Sequence, residues 1–180
     1  MSDAAVESPA NPAILLHGDP RLRRRCRDVA AGENVGALAA GMQRAMLAAG
    51  GVGLAAPQVG DARRLLVCRD PAIRDAAPLV LINPVIEDRG SIVVGFEEGC
   101  LSFPGLFLNL WRPRDVCVRF SDLAGEQRRL EATGLLARVL QHEIDHLDGI
   151  LFIDHLPSWR RWLLAWRLRR LRRRAVEVAA

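Results

Sequence analysis

The five residues His142-Glu143-Ile144-Asp145-His146 carry the densest chemistry in this chain. On a helix, positions i and i+4 share a face, so both imidazoles can reach a single metal ion. The carboxylate of Glu143 can then stand beside a water polarised by that ion and take its proton. The chemistry served is hydrolysis near neutral pH, where a Lewis acid brings the pKa of its water down toward about 7. A chance match on a polar helix face is the plain alternative. Position argues against it: the histidines follow an apolar stripe and must turn inward, where unpartnered imidazoles and carboxylates are costly to bury.

A catalytic site of this type needs a third protein ligand. The metzincin pattern would put a histidine six residues after His146, but Phe152 stands there. A thermolysin-like glutamate from a later helix would have to be Glu177, in a basic tail. His155 lies beyond Gly149 in a strand or turn. Cys100 is the more attractive candidate, because Gly99 and Ser102 around it suggest a tightly placed loop. Packing in a core is the ordinary role of a lone cysteine and stays open on the residues alone.

The elements that must position these groups can be read from periodicity. Thr133–Leu147 reads as the helix that carries the histidines, with Leu135, Leu136, Val139, Leu140 and Ile144 at helical spacing and Thr133 as its cap. Val35–Gly50 reads as a second helix with Leu38, Met42, Ala45, Met46 and Ala49 on one stripe, stopped by Gly50-Gly51. Strand-like runs fall at Arg64–Cys68, Leu79–Asn83, Ser91–Phe96, Val116–Phe120 and Arg128–Glu131. Gly51–Gly60 is too rich in glycine and alanine for an ordinary strand or helix, and suits backbone that approaches something closely. Residues 1–12 read as a loose arm.

The chain has 180 residues, one domain's worth, and enough to bury a core without disulfide or metal staples. Half the residues are hydrophobic, which excludes wholesale disorder. No apolar run approaches the roughly 20 residues of a membrane span, and Met1–Ala10 lacks the basic and apolar regions of a secretory signal. Cys26, Cys68, Cys100 and Cys117 form no CxxC pair, so a reducing cytoplasm is the expected compartment.

All 25 basic residues are arginine. Eight of them lie between Arg160 and Arg174, so Ser158–Ala180 carries +7 and the rest of the chain −3. Pro157 is the boundary this split suggests, giving a domain over 1–157 and a basic, tryptophan- and arginine-rich helical tail over 158–180.

Three segments taken together resemble the signature motifs of peptide deformylase, in the family's order. They are Gly51-Val52-Gly53-Leu54-Ala55-Ala56-Pro57-Gln58, Glu98-Gly99-Cys100-Leu101-Ser102 and Gln141-His142-Glu143-Ile144-Asp145-His146. The likeness runs from about Ile14 to about Leu156. It implies an α+β fold, with antiparallel β-sheets surrounding the central helix of the HExxH motif and a C-terminal helix. It implies Cys100, His142 and His146 as metal ligands, and Glu143 as the general base that passes its proton to the leaving amine. Gln58 and the backbone N–H of Leu101 would stabilise the oxyanion, in keeping with the need for donors aimed at developing charge. Gly53 would bond the extended substrate backbone. Val52, Phe96, Leu135, Val139 and the ring of His142 would wall the methionine pocket. The ion would be iron(II), with zinc, nickel or cobalt able to replace it. The implied reaction is hydrolysis of the N-formyl group from formylmethionine of nascent polypeptides, releasing formate. Another metallo-amidase activity, or a weakly catalytic binding module, are the alternatives. Asp145 is expected to pair with Arg112 behind the metal helix. Arg138, Phe103 and Phe107 depart from the aliphatic or arginine residues found at these places in other members, and put pocket shape in question.

In the tail, Trp159, Trp162, Leu163 and Trp166 share a stripe that is expected to dock on the domain, while the arginines beyond surround the helix. Ribosome contact through rRNA phosphates ranks first among its roles, plain packing second, and an anionic membrane surface third. No DNA partner is expected.

Overall fold

The structure, a computed structural model, describes residues 11–179, with side chains described through residue 173. The expected loose arm falls mostly on residues 1–10, outside the described residues.

Among the described residues, seven strands form two antiparallel sheets. Five of them run in the order β1 (Gly53–Ala55), β2 (Leu65–Cys68), β3 (Leu79–Arg89), β6 (Asp115–Ser121) and β7 (Gln127–Thr133). A separate hairpin pairs β4 (Val93–Gly99) with β5 (Phe107–Pro113). Helix α1 (Gly36–Ala48) covers one face of the larger sheet and α2 (Gly134–Leu147) the other. Strand β2 shows why its sequence is uniformly apolar. Leu65 and Val67 join Met42, Met46 and Leu54 on the α1 side, while Leu66 and Cys68 join Leu140, Ile144 and Leu147 on the α2 side. Alternate side chains face opposite layers, and both layers are dry.

Strand β3 runs six residues beyond the expected Leu79–Asn83. It survives Asn83 and Pro84 through a bulge, in which Asn83 takes a left-handed φ of 51° and its amide bonds both backbone groups of Val29 (2.8 and 2.9 Å). Gly53–Ala55, which did not read as a strand, is one: it pairs with Leu66–Cys68 and then tightens into a 3-10 turn at Ala56–Val59. Strand β5 alternates in burial, but the sequence hides it, because apolar Phe107 and Trp111 face outward and charged Arg112 faces inward. Thr133 occupies the cap position of α2, but its hydroxyl donates to Asp115 (2.5 Å) and not to the helix N-terminus.

The tail departs most from expectation. It is two helices, α3 (Ser158–Leu163) and α4 (Ala165–Ala179). The tryptophan stripe does not dock: Trp159, Trp162 and Trp166 are 59%, 75% and 64% exposed. Leu164, Leu168 and Leu171 face the body instead, against a third core that includes Leu22, Phe103, Phe152 and Leu156. Arg172 on the same helix lies against Gly18, where a Cβ would meet its Cγ at 2.8 Å. Among the described residues, no helix is long and apolar enough to cross a membrane.

Candidate active site

Two pieces of chain bring together three side chains that could hold a metal ion. Helix α2 presents His142 and His146 inward from adjacent turns, their ring centroids 5.1 Å apart. Cys100 follows directly on β4, at the end of the hairpin, and its Sγ lies 3.3 Å from His146 Nε2. The three donor atoms all fall within 4.8 Å of one another. One cysteine sulfur and two imidazole nitrogens suit a divalent transition metal of borderline softness, and they lie close enough together for a single ion to reach all three.

Electrostatics point the same way. Burial opposes charge on His142, yet its bonds to Cys100 and Glu98 win and raise its pKa well above the usual histidine value. Burial, followed by the positive His142, Arg112 and Arg23, drives that of His146 well below. The cluster thus favours one positive charge at His142, between the sulfur of Cys100 and the carboxylate of Glu98, and a cation bound there would compete with that proton.

Glu143 is buried on the same helix. Its Oε2 has no hydrogen-bond partner, and burial pushes its pKa up to about 7. That value suits a group that accepts and returns a proton near neutrality. Gly53 is packed against it so closely that a Cβ there would meet Glu143 Oε1 at 2.5 Å. Gln58 is oriented from its carbonyl end: Oε1 accepts from the Ala55 N–H (2.8 Å), so the amide N–H₂ points at Ser102 Oγ (3.2 Å) and Cys100 Sγ (3.6 Å). Leu101 adjoins the ligand loop, with Phe103 N–H bonded back to Cys100 O (2.8 Å).

Val52, Gly53, Phe96, Leu135, Val139 and His142 border a single cleft of about 510 Å³, together with Gln58, Cys100, Leu101 and Glu143. Phe96 and Leu135 stand at its mouth, half exposed. Phe107 lies over Gly99, where any Cβ would meet its ring at 2.7 Å. The ring of Phe103 is buried between His17 and Phe152 (4.5 and 5.0 Å between centroids), so most of it belongs to the core. Asp145 lies 2.8 Å from Arg112 Nη1 and 2.7 Å from His155 Nε2, so His155 is committed to Asp145 and stands apart from the ligand cluster.

Glu98 was given no role by sequence reasoning, although it lies inside a quoted motif. Its carboxylate receives Arg112 (2.7 and 3.1 Å) and Arg138 (2.6 Å), and Oε2 lies 3.1 Å from His142 Nδ1. Burial alone would raise its pKa, but the bonds to His142 and Arg112 hold it down at about 2. The available signal was spacing: residues two apart on a strand share a face, so Glu98 and Cys100 point the same way. Arg138 is likewise one helical turn before His142.

A cysteine and two buried histidines converging beside a buried glutamate with a free Oε2, at the base of an apolar cleft, is the pattern of a metal-dependent amide hydrolase. The sequence model described as polypeptide deformylase matches residues 12–162. A peptide deformylase of Prochlorococcus marinus is 45% identical over 157 residues, covering 84% of this chain and 78% of that protein. One from Picosynechococcus is 46% identical over 151 residues, covering 82% and 81%. The Thermus thermophilus peptide deformylase structure superposes with a TM-score of 0.83 at 43% identity, covering 92% of this chain and 99% of that one. A plant peptide deformylase gives 0.86 at 35% identity, covering 97% and 95%. The chain belongs to the peptide deformylase family, metal-dependent hydrolases that remove the formyl group from the N-terminus of nascent polypeptides.

Proposed function

We propose that Cys100, His142 and His146 hold one divalent ion, iron(II) in the native protein, and that Glu143 is the general base. When bound, the ion supplies Lewis acidity toward water and the formyl carbonyl. Glu143 takes the proton of the attacking water and gives it to the departing amine, so formate and a free N-terminus leave together. Gln58 Nε2–H and the Leu101 N–H donate to the oxygen that becomes negative at the formyl carbon. Val52, Phe96, Leu135 and Val139 take up the methionine side chain, and the backbone of Gly53 bonds the peptide that follows. Asp145 and Arg112 brace α2 from behind. The observation that carries this reading is the free Oε2 of Glu143, buried beside the converged Cys100, His142 and His146 at the base of the cleft.

The test is formate release from a short formyl-Met peptide by protein loaded anaerobically with iron(II) or nickel. Activity is expected from the unsubstituted protein and none from Glu143→Ala; a folded, metallated protein that releases no formate overturns the reading. Iron-loaded protein is expected to lose activity in air faster than nickel-loaded protein, because iron(II) and its thiolate ligand are both open to oxidation.

We further propose that residues 1–157 suffice for this chemistry in the cytoplasm, and that 158–180 is a separate docking element for the ribosome. Support for the docking role is the exposed row Trp159, Trp162 and Trp166, with Arg160 and Arg167 stacked beside it (5.3 and 5.9 Å), on a segment of net charge +7. Cosedimentation with ribosomes should fall when residues after Leu156 are removed; equal pelleting of both forms refutes docking.

A further inference from the structure

The metal ligands come from two bodies that no backbone ladder joins. Cys100 ends the β4–β5 hairpin, which shares no strand pairing with the five-stranded sheet, and the histidines stand on α2. The separation of Cys100 Sγ from the imidazoles therefore depends on how side chains dock the hairpin against the helix. Apolar packing gives β4 little hold, since Glu98 is the one buried residue of that strand.

We propose that Arg138 is a positioning residue for the metal centre, clamping the hairpin that bears Cys100 to the helix that bears His142 and His146. It is buried on α2, one turn before His142. Its Nη2 donates to Val94 O on β4 (2.8 Å), and its Nη1 donates to Leu110 O on β5 (3.1 Å) and to Glu98 Oε1 (2.6 Å). One guanidinium thus grips both strands from the helix, with a planar fork no other side chain offers. The bond to Glu98 also has a direction. Oε1 takes Arg138 and Arg112 Nε, which leaves Oε2 turned toward His142 Nδ1 and fixes that ring for ligation through Nε2. Arg112 cannot substitute, because its Nη1 is committed to Asp145. An aliphatic residue at this position would smooth the cleft wall, but it would leave the buried Leu110 carbonyl and the partly buried Val94 carbonyl without this donor, and Glu98 with one arginine in place of two.

This inference rests on the reading of Cys100, His142 and His146 as the metal ligands, and its test reads metal retention apart from activity. Protein is loaded with cobalt(II) or nickel(II), the thiolate-to-metal absorption band is recorded, and the rate of metal loss to excess chelator is followed. Arg138→Met keeps the apolar stem and removes every donor. Its metal-loss rate is expected to rise about 10- to 100-fold, with a displaced band, because supporting residues of this kind typically set affinity on that scale. Arg138→Lys restores one donor and should recover part of the loss; if Arg138→Met fails to fold, this variant alone should still release metal faster than the parent. Met42→Ala, in the core layer on the α1 side of the sheet and opposite α2, should lower the melting temperature without changing the metal-loss rate. A folded Arg138→Met with the parent's band and rate overturns the proposal, as does equal acceleration in Met42→Ala. Failure of the unsubstituted protein to take up either ion would instead overturn the metal assignment beneath it.

Discussion

Placing a methyl group on Gly53 asks how finely Glu143 must be held. The backbone there is not in the left-handed region, so alanine fits the local conformation. The obstacle is the base itself: the new Cβ would lie 2.5 Å from Glu143 Oε1 and 2.9 Å from its Cδ and Cγ, where ordinary contact begins at 3.4 Å. The carboxylate must therefore retreat by about 0.9 Å, and because Cγ is also struck, the whole side chain shifts. A misplacement of about 1 Å can cost on the order of 100-fold in rate, which is about 2.7 kcal/mol of activation free energy. Crowding a packed site costs a further ~1–3 kcal/mol of stability. The assay is steady-state formate release with metal content and thermal melting measured on the same preparation. The expected result is kcat down about 100-fold at full metal occupancy, with KM little changed, since the N–H and C=O of residue 53 remain. Parent-like kcat would refute the argument. A loss confined to KM would show that the methyl obstructs substrate and leaves the base in place. Gly41→Ala serves as the control: its Cβ would find its nearest neighbour at 3.6 Å, so it should leave the rate unchanged and stabilise α1 by up to ~1 kcal/mol.

The raised pKa of Glu143 has two consequences of opposite appearance. As a base it must be ionised, so activity should fall as pH drops, with an acid limb at or below about 7, lower when the cation beside it is present. In metal-free protein the folded state holds this proton more tightly than the unfolded state, so stability should decline as pH rises from 4.5 to about 7; urea melts of Glu143→Gln should lack that slope. Cys100→Ser should fold and lose its metal to chelator faster than the parent, because a hydroxyl is a poorer ligand than a thiolate for these ions, and unaltered retention would remove Cys100 from the ligand set. Leu140→Ala, at a fully buried position between α2 and the sheet, should cost ~2–5 kcal/mol in denaturant unfolding. Replacing Trp159, Trp162 and Trp166 by serine should weaken ribosome pelleting and leave the melting temperature nearly unchanged, since these rings bury little surface on the body; a large drop in melting temperature would show that they support the fold.

Much of the catalytic chemistry is legible in the chain because local spacing carries it. His142, Glu143 and His146 need only a helical turn to share a face, and the α2 stripe of Leu140 and Ile144 says which face turns inward. The proposed third ligand is a different case. Cys100 is 42 residues from His142 in sequence, and residue patterns left His155 in contention until the family likeness was added. Only folding assigns His155 to Asp145 and brings Cys100 to His146.

What the tertiary structure decided are the features that depend on which surfaces meet. Helical periodicity singles out the row of Trp159, Trp162, Leu163 and Trp166 for docking, yet in the fold Leu164, Leu168 and Leu171 pack against the core of Phe103 and Phe152 and the indoles stay exposed. Arg138 reads as an intruder in an aliphatic pocket, yet Glu98 and the carbonyls of two strands make it the polar centre of the hairpin–helix contact. Periodicity along one element fixes which side chains share a face. What lies opposite that face, and whether its carbonyls still need a donor, is set by a partner element distant in sequence.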